Sequence, residues 1–131
     1  MKKFSIALFA LSLVACASGP RSFYFYNEIL VVNNSNQMIR DVSIKVSGTG
    51  RVFSCGNIAP FGICSNRFGK RRYEMNPIQV GWTFGNTARQ TGDFVVEVPA
   101  TLYSGLAMRG VLAINPDGSI ATYFEQDTPN N

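Results

Sequence analysis

From residue 23 onward, apolar and polar side chains alternate with a period of two in nearly every segment. Val42, Ile44 and Val46 alternate with Asp41, Ser43, Lys45 and Ser47. Ile78, Val80, Trp82 and Phe84 alternate with Gln79, Gly81 and Thr83, and Phe94, Val96 and Val98 share a face opposite Asp93 and Glu97. Successive strand side chains point to opposite faces, so this pattern lays one face on a core and the other in solvent, as antiparallel sheets do. It predicts strands near 23–32, 38–47, 51–58, 66–74, 78–84, 93–98, 108–115 and 119–125. Outside the N-terminus no ten-residue window has the spacing of an amphipathic helix.

Turn formers separate these runs. Asn33-Asn34-Ser35-Asn36 follows the first, Gly48-Thr49-Gly50 the second and Gly85-Asn86 the Trp82 run. Asn115-Pro116-Asp117-Gly118 is the sharpest hairpin signal. Seven or eight short strands at this spacing predict an all-β domain over residues 23–126, an antiparallel β-sandwich of immunoglobulin-like type, with a small β-barrel as the alternative. Trp82 is expected in its core. Residues 127–131 are expected to be a frayed, disordered tail.

The N-terminus breaks the alternation. Met1-Lys2-Lys3 precedes an apolar run, Phe4–Ala15, that is too short to cross a bilayer, which takes about 20 residues. Leu13-Val14-Ala15-Cys16 closes it and resembles the lipobox of bacterial lipoproteins, whose type II signal peptides end before a lipid-modified cysteine. The resemblance covers residues 1–16. It implies removal of 1–15 and a mature N-terminus at Cys16 carrying two or three acyl chains, enough for a durable anchor at about 0.8 kcal/mol per buried CH₂. Ala17, rather than an acidic residue, implies the outer membrane by the usual sorting pattern. The periplasmic face is expected, with the cell surface as the alternative. Residues 16–22 then form the lipidated cysteine and a short polar tether, whose six flexible residues reach about 13 Å.

Export changes how charge and cysteine are read. The chain has 12 Lys and Arg against 8 Asp and Glu, but Lys2 and Lys3 leave with the signal, lowering the net charge from +4 to about +2. That removes the whole-protein case for nucleic-acid binding. Residues 16–131 suit one domain, burying roughly 65% of its unfolded surface. Of three cysteines, Cys55 and Cys64 remain beside Cys16. An even pair in an oxidising compartment reads as a disulfide, worth roughly 2.5–3 kcal/mol for this loop length. Metal ligation competes, but two thiols without histidine make a poor site.

Candidate chemistry is thin. Arg67, Lys70, Arg71 and Arg72, interleaved with Phe68 and Tyr73, form a basic loop able to grip phosphate-bearing lipid headgroups, a polyanionic glycan or an acidic partner. The same charges equally suit a solvated hairpin that keeps a sheet edge from pairing with neighbours. Phe23 and Phe25 share one face of a strand and Tyr24 and Tyr26 the other. They form either a belt of rings on lipid headgroups or one core pair with one flanking pair. Asn33-Asn34-Ser35 matches a glycosylation sequon but, behind a bacterial signal, reads as a turn. The chain has no histidine, which excludes Ser–His and Cys–His nucleophiles. Asp41, Asp93 and Glu97 point outward, Asp117 and Asp127 fall in a turn and the tail, and only topology could bring Glu74 to Glu125. No phosphate-binding glycine loop, metal motif or cofactor motif appears.

The expectation is a non-enzymatic envelope lipoprotein without cofactor, docking another envelope protein by a sheet edge or loop. A polyanion or glycan binder using residues 67–73 is the second reading. An enzyme inhibitor presenting the Cys55–Cys64 loop, with Pro60 and Phe61 in contact, is the third. Intact-mass analysis of the membrane-extracted chain is expected to give Cys16 as the first residue with acyl mass added. An unmodified Cys16 sulfur would remove the anchor from all three.

Overall fold

The computed structural model describes residues 23–127, so the expected signal, Cys16 and its tether lie outside the described residues, as do 128–131. Eight strands carry the chain: β1 (Phe25–Asn33), β2 (Ile39–Val46), β3 (Val52–Ile58), β4 (Ile63–Arg72), β5 (Ile78–Phe84), β6 (Thr87–Gln90), β7 (Met108–Ile114) and β8 (Ile120–Glu125). They form two four-stranded sheets, ordered β4-β1-β7-β8 and β3-β2-β5-β6. Every pairing is antiparallel except β1 with β7. The sheets stack as a β-sandwich and do not close into a barrel. No helix occurs among the described residues.

The period of two explains which faces meet. Ile29, Val31, Leu112 and Ile114 line the inner face of the first sheet; Ile39, Ile44, Val80 and Trp82 line that of the second. Trp82 is a core residue, as its alternating strand requires. A smaller cluster at one end of the sandwich joins Val96, Met108 and Phe124 to Tyr24, Tyr26 and Tyr73. The four-aromatic run therefore divides: the tyrosines pack inward, while Phe23 and Phe25 face out.

Two segments depart from the predicted strands. Residues 93–98 are not a strand: Phe94 makes a single bridge to Ile78, and the chain then runs across the sandwich end. Val96 and Val98 alternate because one side packs on the smaller cluster, without a partner strand. In its place β6 continues from β5 through the two-residue turn Gly85-Asn86, closed by Phe84 and Thr87. Its side chains are all exposed, so it carries no apolar pattern. Asp127, expected in the frayed tail, is held by Arg109 at 2.6 Å.

The two sheets are joined by an arch. β3 and β4 are edge strands of different sheets, linked by the turn Ala59-Pro60-Phe61-Gly62 and by the Cys55–Cys64 disulfide, with Cα atoms 5.9 Å apart. Beneath the arch lies Asn33, fully buried at the end of β1. Its amide nitrogen donates to the carbonyls of Gln37 (2.7 Å), Ile58 (3.1 Å) and Ala59 (3.0 Å). Its oxygen accepts from the Ser35 hydroxyl at 2.7 Å and the Ser35 N–H at 3.2 Å. Its own N–H donates to Gly62 at 2.9 Å. The sequon is thus an internal turn, with no room for a glycan on its asparagine.

Truncating this amide strands the buried Ile58 carbonyl and the buried Ser35 N–H, each at a cost of roughly 1–3 kcal/mol, while the Gln37 and Ala59 carbonyls keep the Ser35 hydroxyl and the Gly62 N–H. Asn33→Ala is expected to destabilise the fold by about 3 kcal/mol, read from the urea midpoint at unchanged m. A loss below about 0.5 kcal/mol would refute this role.

Candidate functional site

At the arch tip, the Gly62 N–H donates to Ala59 O at 2.8 Å, giving a turn with Pro60 and Phe61 in the centre. Pro60 suits the first central position by its fixed φ. Phe61 occupies the second at φ +54, the left-handed region that ordinarily selects glycine. The conformation is imposed from outside: Phe61 N–H donates to Ser35 O at 3.0 Å. Gly62 is also fixed, because a Cβ there would come within 2.9 Å of the Ala59 carbonyl. The Phe61 side chain stands 67% exposed, next to Ile63 at 61%. Met38 adds a third exposed apolar side chain at the same end, where Asn33 gathers the Gln37 and Ala59 carbonyls.

The basic segment is the strand expected over 66–74 and not a loop. Arg67, Lys70, Arg71 and Arg72 lie on edge strand β4, and Tyr73 follows it. Between the register pairs Glu28↔Arg67 and Tyr26↔Arg71, β1 advances two residues while β4 advances four. This bulge scatters the cations. Arg67 binds Glu28; Lys70 lies 4.6 Å over the Phe25 ring and Arg72 3.9 Å over Phe23; Arg71 sits 5.7 Å over Phe68. Phe23 and Phe25 are therefore capped by cations, each contact worth roughly 0.5–1 kcal/mol at exposed sites.

Glu28 is a further site residue, with no role legible in the sequence. On the outer face of the first sheet it accepts from Ser65 Oγ and pairs with Arg67 Nε at 3.0 Å and Arg109 at 3.7 Å. Arg109 also binds Glu125 and Asp127, each at 2.6 Å. Register places Glu28 opposite Arg67 and Arg109, and Arg109 opposite Glu125, so one ladder of alternating charge crosses all four strands. The only earlier signal was a charged residue within an apolar strand.

The Ser65 hydroxyl first, then the two arginines, hold the Glu28 carboxyl below its ordinary value, against the opposing effect of burial. Its cover is the side chains that bind it rather than depth in the core. The hydrogen bond to Glu125 and the neighbouring carboxylates push Arg109 further up.

Tyr73 is the half-buried member of the expected basic group. Its ring meets Phe124 at 4.7 Å and Tyr26 at 5.9 Å, and its hydroxyl donates to Val96 O. Burial pushes the phenol up to about 12. It acts as packing and offers nothing to a ligand outside. Glu125, considered with Glu74 as a carboxylate pair, is instead bound to Arg109. Among the described residues, no group of three His, Cys, Asp or Glu gathers around a metal position.

No family model matches the chain, and no curated protein matches it. Among solved structures it is similar to the NMR structure of a protein from Eubacterium rectale. That likeness has 8% identity and a TM-score of 0.46, covering 84% of this chain and 93% of that one.

A carboxyl depressed by folding contributes stability above its unfolded value, and that contribution fades as pH falls through the folded value. Glu28→Gln is therefore expected to lower stability by about 1 kcal/mol at neutral pH, a charged hydrogen bond discounted for the exposed Arg67. It is expected to flatten the fall in melting temperature below the ordinary glutamate value. Parallel acid limbs for wild type and variant would contradict the assignment.

Proposed function

We propose that the mature protein is a non-enzymatic interaction module, anchored through acylated Cys16 to the outer membrane and engaging a partner protein through Phe61. One observation carries the reading: a bulky apolar residue held at φ +54, 67% exposed, on a turn clamped by a disulfide and a buried asparagine. The left-handed region costs an ordinary residue roughly 1–2 kcal/mol, and Phe61 gains no burial in return. Strain of this kind is kept where an anchor residue must be presented in one fixed pose, which cuts the ordering cost of binding.

Position supports the same reading. Phe61 lies at the Asn33 end of β1, and the chain leads back toward Cys16 from the Phe25 end, about 26 Å away along the strand. The contact residues would face away from the membrane, where a short tether holds the domain in a plane and raises the effective concentration of a weak partner. A partner with a concave apolar pocket fits this tip, and an enzyme cleft is one form of such a pocket.

The polyanion reading loses ground on geometry. Arg67 is engaged by Glu28, and Lys70 and Arg72 rest on outward phenylalanines, so the expected cluster offers no continuous cationic face.

Phe61→Gly is expected to stabilise the isolated domain by about 1 kcal/mol, because glycine removes the strain without opening a core cavity. In cells, a photoreactive side chain at position 63 is expected to give one discrete adduct. Phe61→Gly abolishes that adduct, and the same probe at Lys45 gives none. Equal labelling at 45 and 63, or an adduct indifferent to Phe61, overturns the reading.

A further inference from the structure

At the end of the sandwich where β1 begins, the two sheets part around a cavity of about 390 Å³. Ile29, Leu112 and Phe124 of the first sheet and Ile44 of the second form its walls, with Val96 closing one side. Gly110 helps keep the space open: it lines the cavity and carries no side chain to fill it, and an added Cβ would press to 3.3 Å of the Phe124 ring. Protein interiors rarely leave voids larger than a water molecule, and empty apolar volume is destabilising in proportion to its size. Water fills such a space poorly, because each molecule needs two or more polar partners. On the inner wall the Tyr73 hydroxyl is already bonded to Val96 O, and the other polar groups of the lining, apart from the half-buried Tyr26, gather toward the mouth.

The rim has the opposite character. Arg51 follows the β2–β3 turn and Arg71 stands on β4, with Arg72 also on the lining, against a single carboxylate, Glu74. Among the described residues, no carboxylate lies within ion-pair distance of Arg51 or Arg71. A guanidinium offers a fork of donors matched to carboxylate or phosphate. The volume falls in the range of small-molecule sites, about 300–1,000 Å³. At about 30 Å³ for a water-sized group, it has room for about a dozen methylenes.

We propose that this cavity binds one unbranched alkyl chain bearing an anionic head, the chain lying between Ile44 and Leu112 and the head held by Arg51 and Arg71. A free fatty acid, or one of the two acyl chains of an anionic phospholipid with its phosphate, presents this chemistry. The rim lies at the same end as Phe23, from which residues 17–22 lead back to Cys16. On the anchored reading it faces the bilayer. The site does not involve Phe61, so the two proposals fail separately.

The test uses the full-length chain carrying Cys16→Ser, which leaves no anchor lipid to compete. Decanoate below its micellar concentration displaces a fluorescent fatty acid, with decanol as the uncharged control. Vesicles of phosphatidylglycerol, with phosphatidylcholine as control, form the membrane arm. Saturable one-to-one binding of decanoate is expected, about ten-fold tighter than decanol. Arg51→Ala with Arg71→Ala erases that preference. Ile44→Phe, which adds carbon inside the cavity, weakens both ligands about ten-fold without lowering the melting temperature. If Ile44→Phe does not fold, Val96→Phe fills the same space from the other side.

Decanoate binding assigns a free fatty acid as sufficient ligand. Binding to phosphatidylglycerol vesicles alone, with the same dependence on arginine and cavity, assigns the membrane lipid. Absence of saturable binding in both arms overturns the proposal, and so does binding that ignores either the arginine pair or the cavity-filling change.

Discussion

The side-chain amide of Asn33 joins three stretches of chain that the strand ladders do not hold together: the end of β1, the turn before β2 and the arch from β3 to β4. An arch between sheets leaves carbonyls outside either ladder, and buried carbonyls need donors. One amide nitrogen serves two carbonyls of the arch and one of the turn before β2, while its oxygen orders Ser35, whose own carbonyl then receives Phe61 N–H. The exposed ring at the tip thus inherits its backbone geometry from a residue with no exposure at all. The disulfide constrains the same arch from the other side, so the strain at Phe61 has nowhere local to relax.

Sheet edges pose the other constraint on a sandwich of this kind. β4 presents an unpaired side, and Arg67, Lys70, Arg71 and Arg72 populate it. Charges there discourage a second chain from adding a strand. They serve the fold as well, through Glu28 and through the rings of Phe23, Phe25 and Phe68. The bulge that separates Arg67 from Arg71 turns one stretch of sequence into distinct local environments.

Much of the fold was legible from alternation and turn chemistry, because both are local. Trp82 in the core and the Asn115–Gly118 hairpin follow from side-chain direction and turn preference alone, which also separate Phe23 and Phe25 from Tyr24 and Tyr26 without saying which pair packs inward. Residues 93–98 show the limit: a period of two reports which face is buried, and a segment packed across an open end satisfies it without a ladder. β6 shows the reverse, a ladder with no buried face, betrayed only by Gly85-Asn86. The site was less legible. Pro60 and Phe61 were visible as a disulfide loop, but the positive φ depends on Ser35, far away in sequence. Glu28 and the cavity depend on which strands become neighbours, and the β1–β7 parallel pairing has no local signature.

The antiparallel pairing of β1 with β4 also sets how the domain would bear a load. Tension between the arch and the start of the chain pulls β4 by its first residue and β1 by its first residue, in opposite directions along their shared axis. All the register pairs from Phe25↔Arg72 to Val32↔Ile63 are then sheared together instead of being peeled one at a time. Rupture under force follows the barrier to that concerted step rather than equilibrium stability. A tip gripped at one end and a tether held at the other would load this ladder in shear along its whole length.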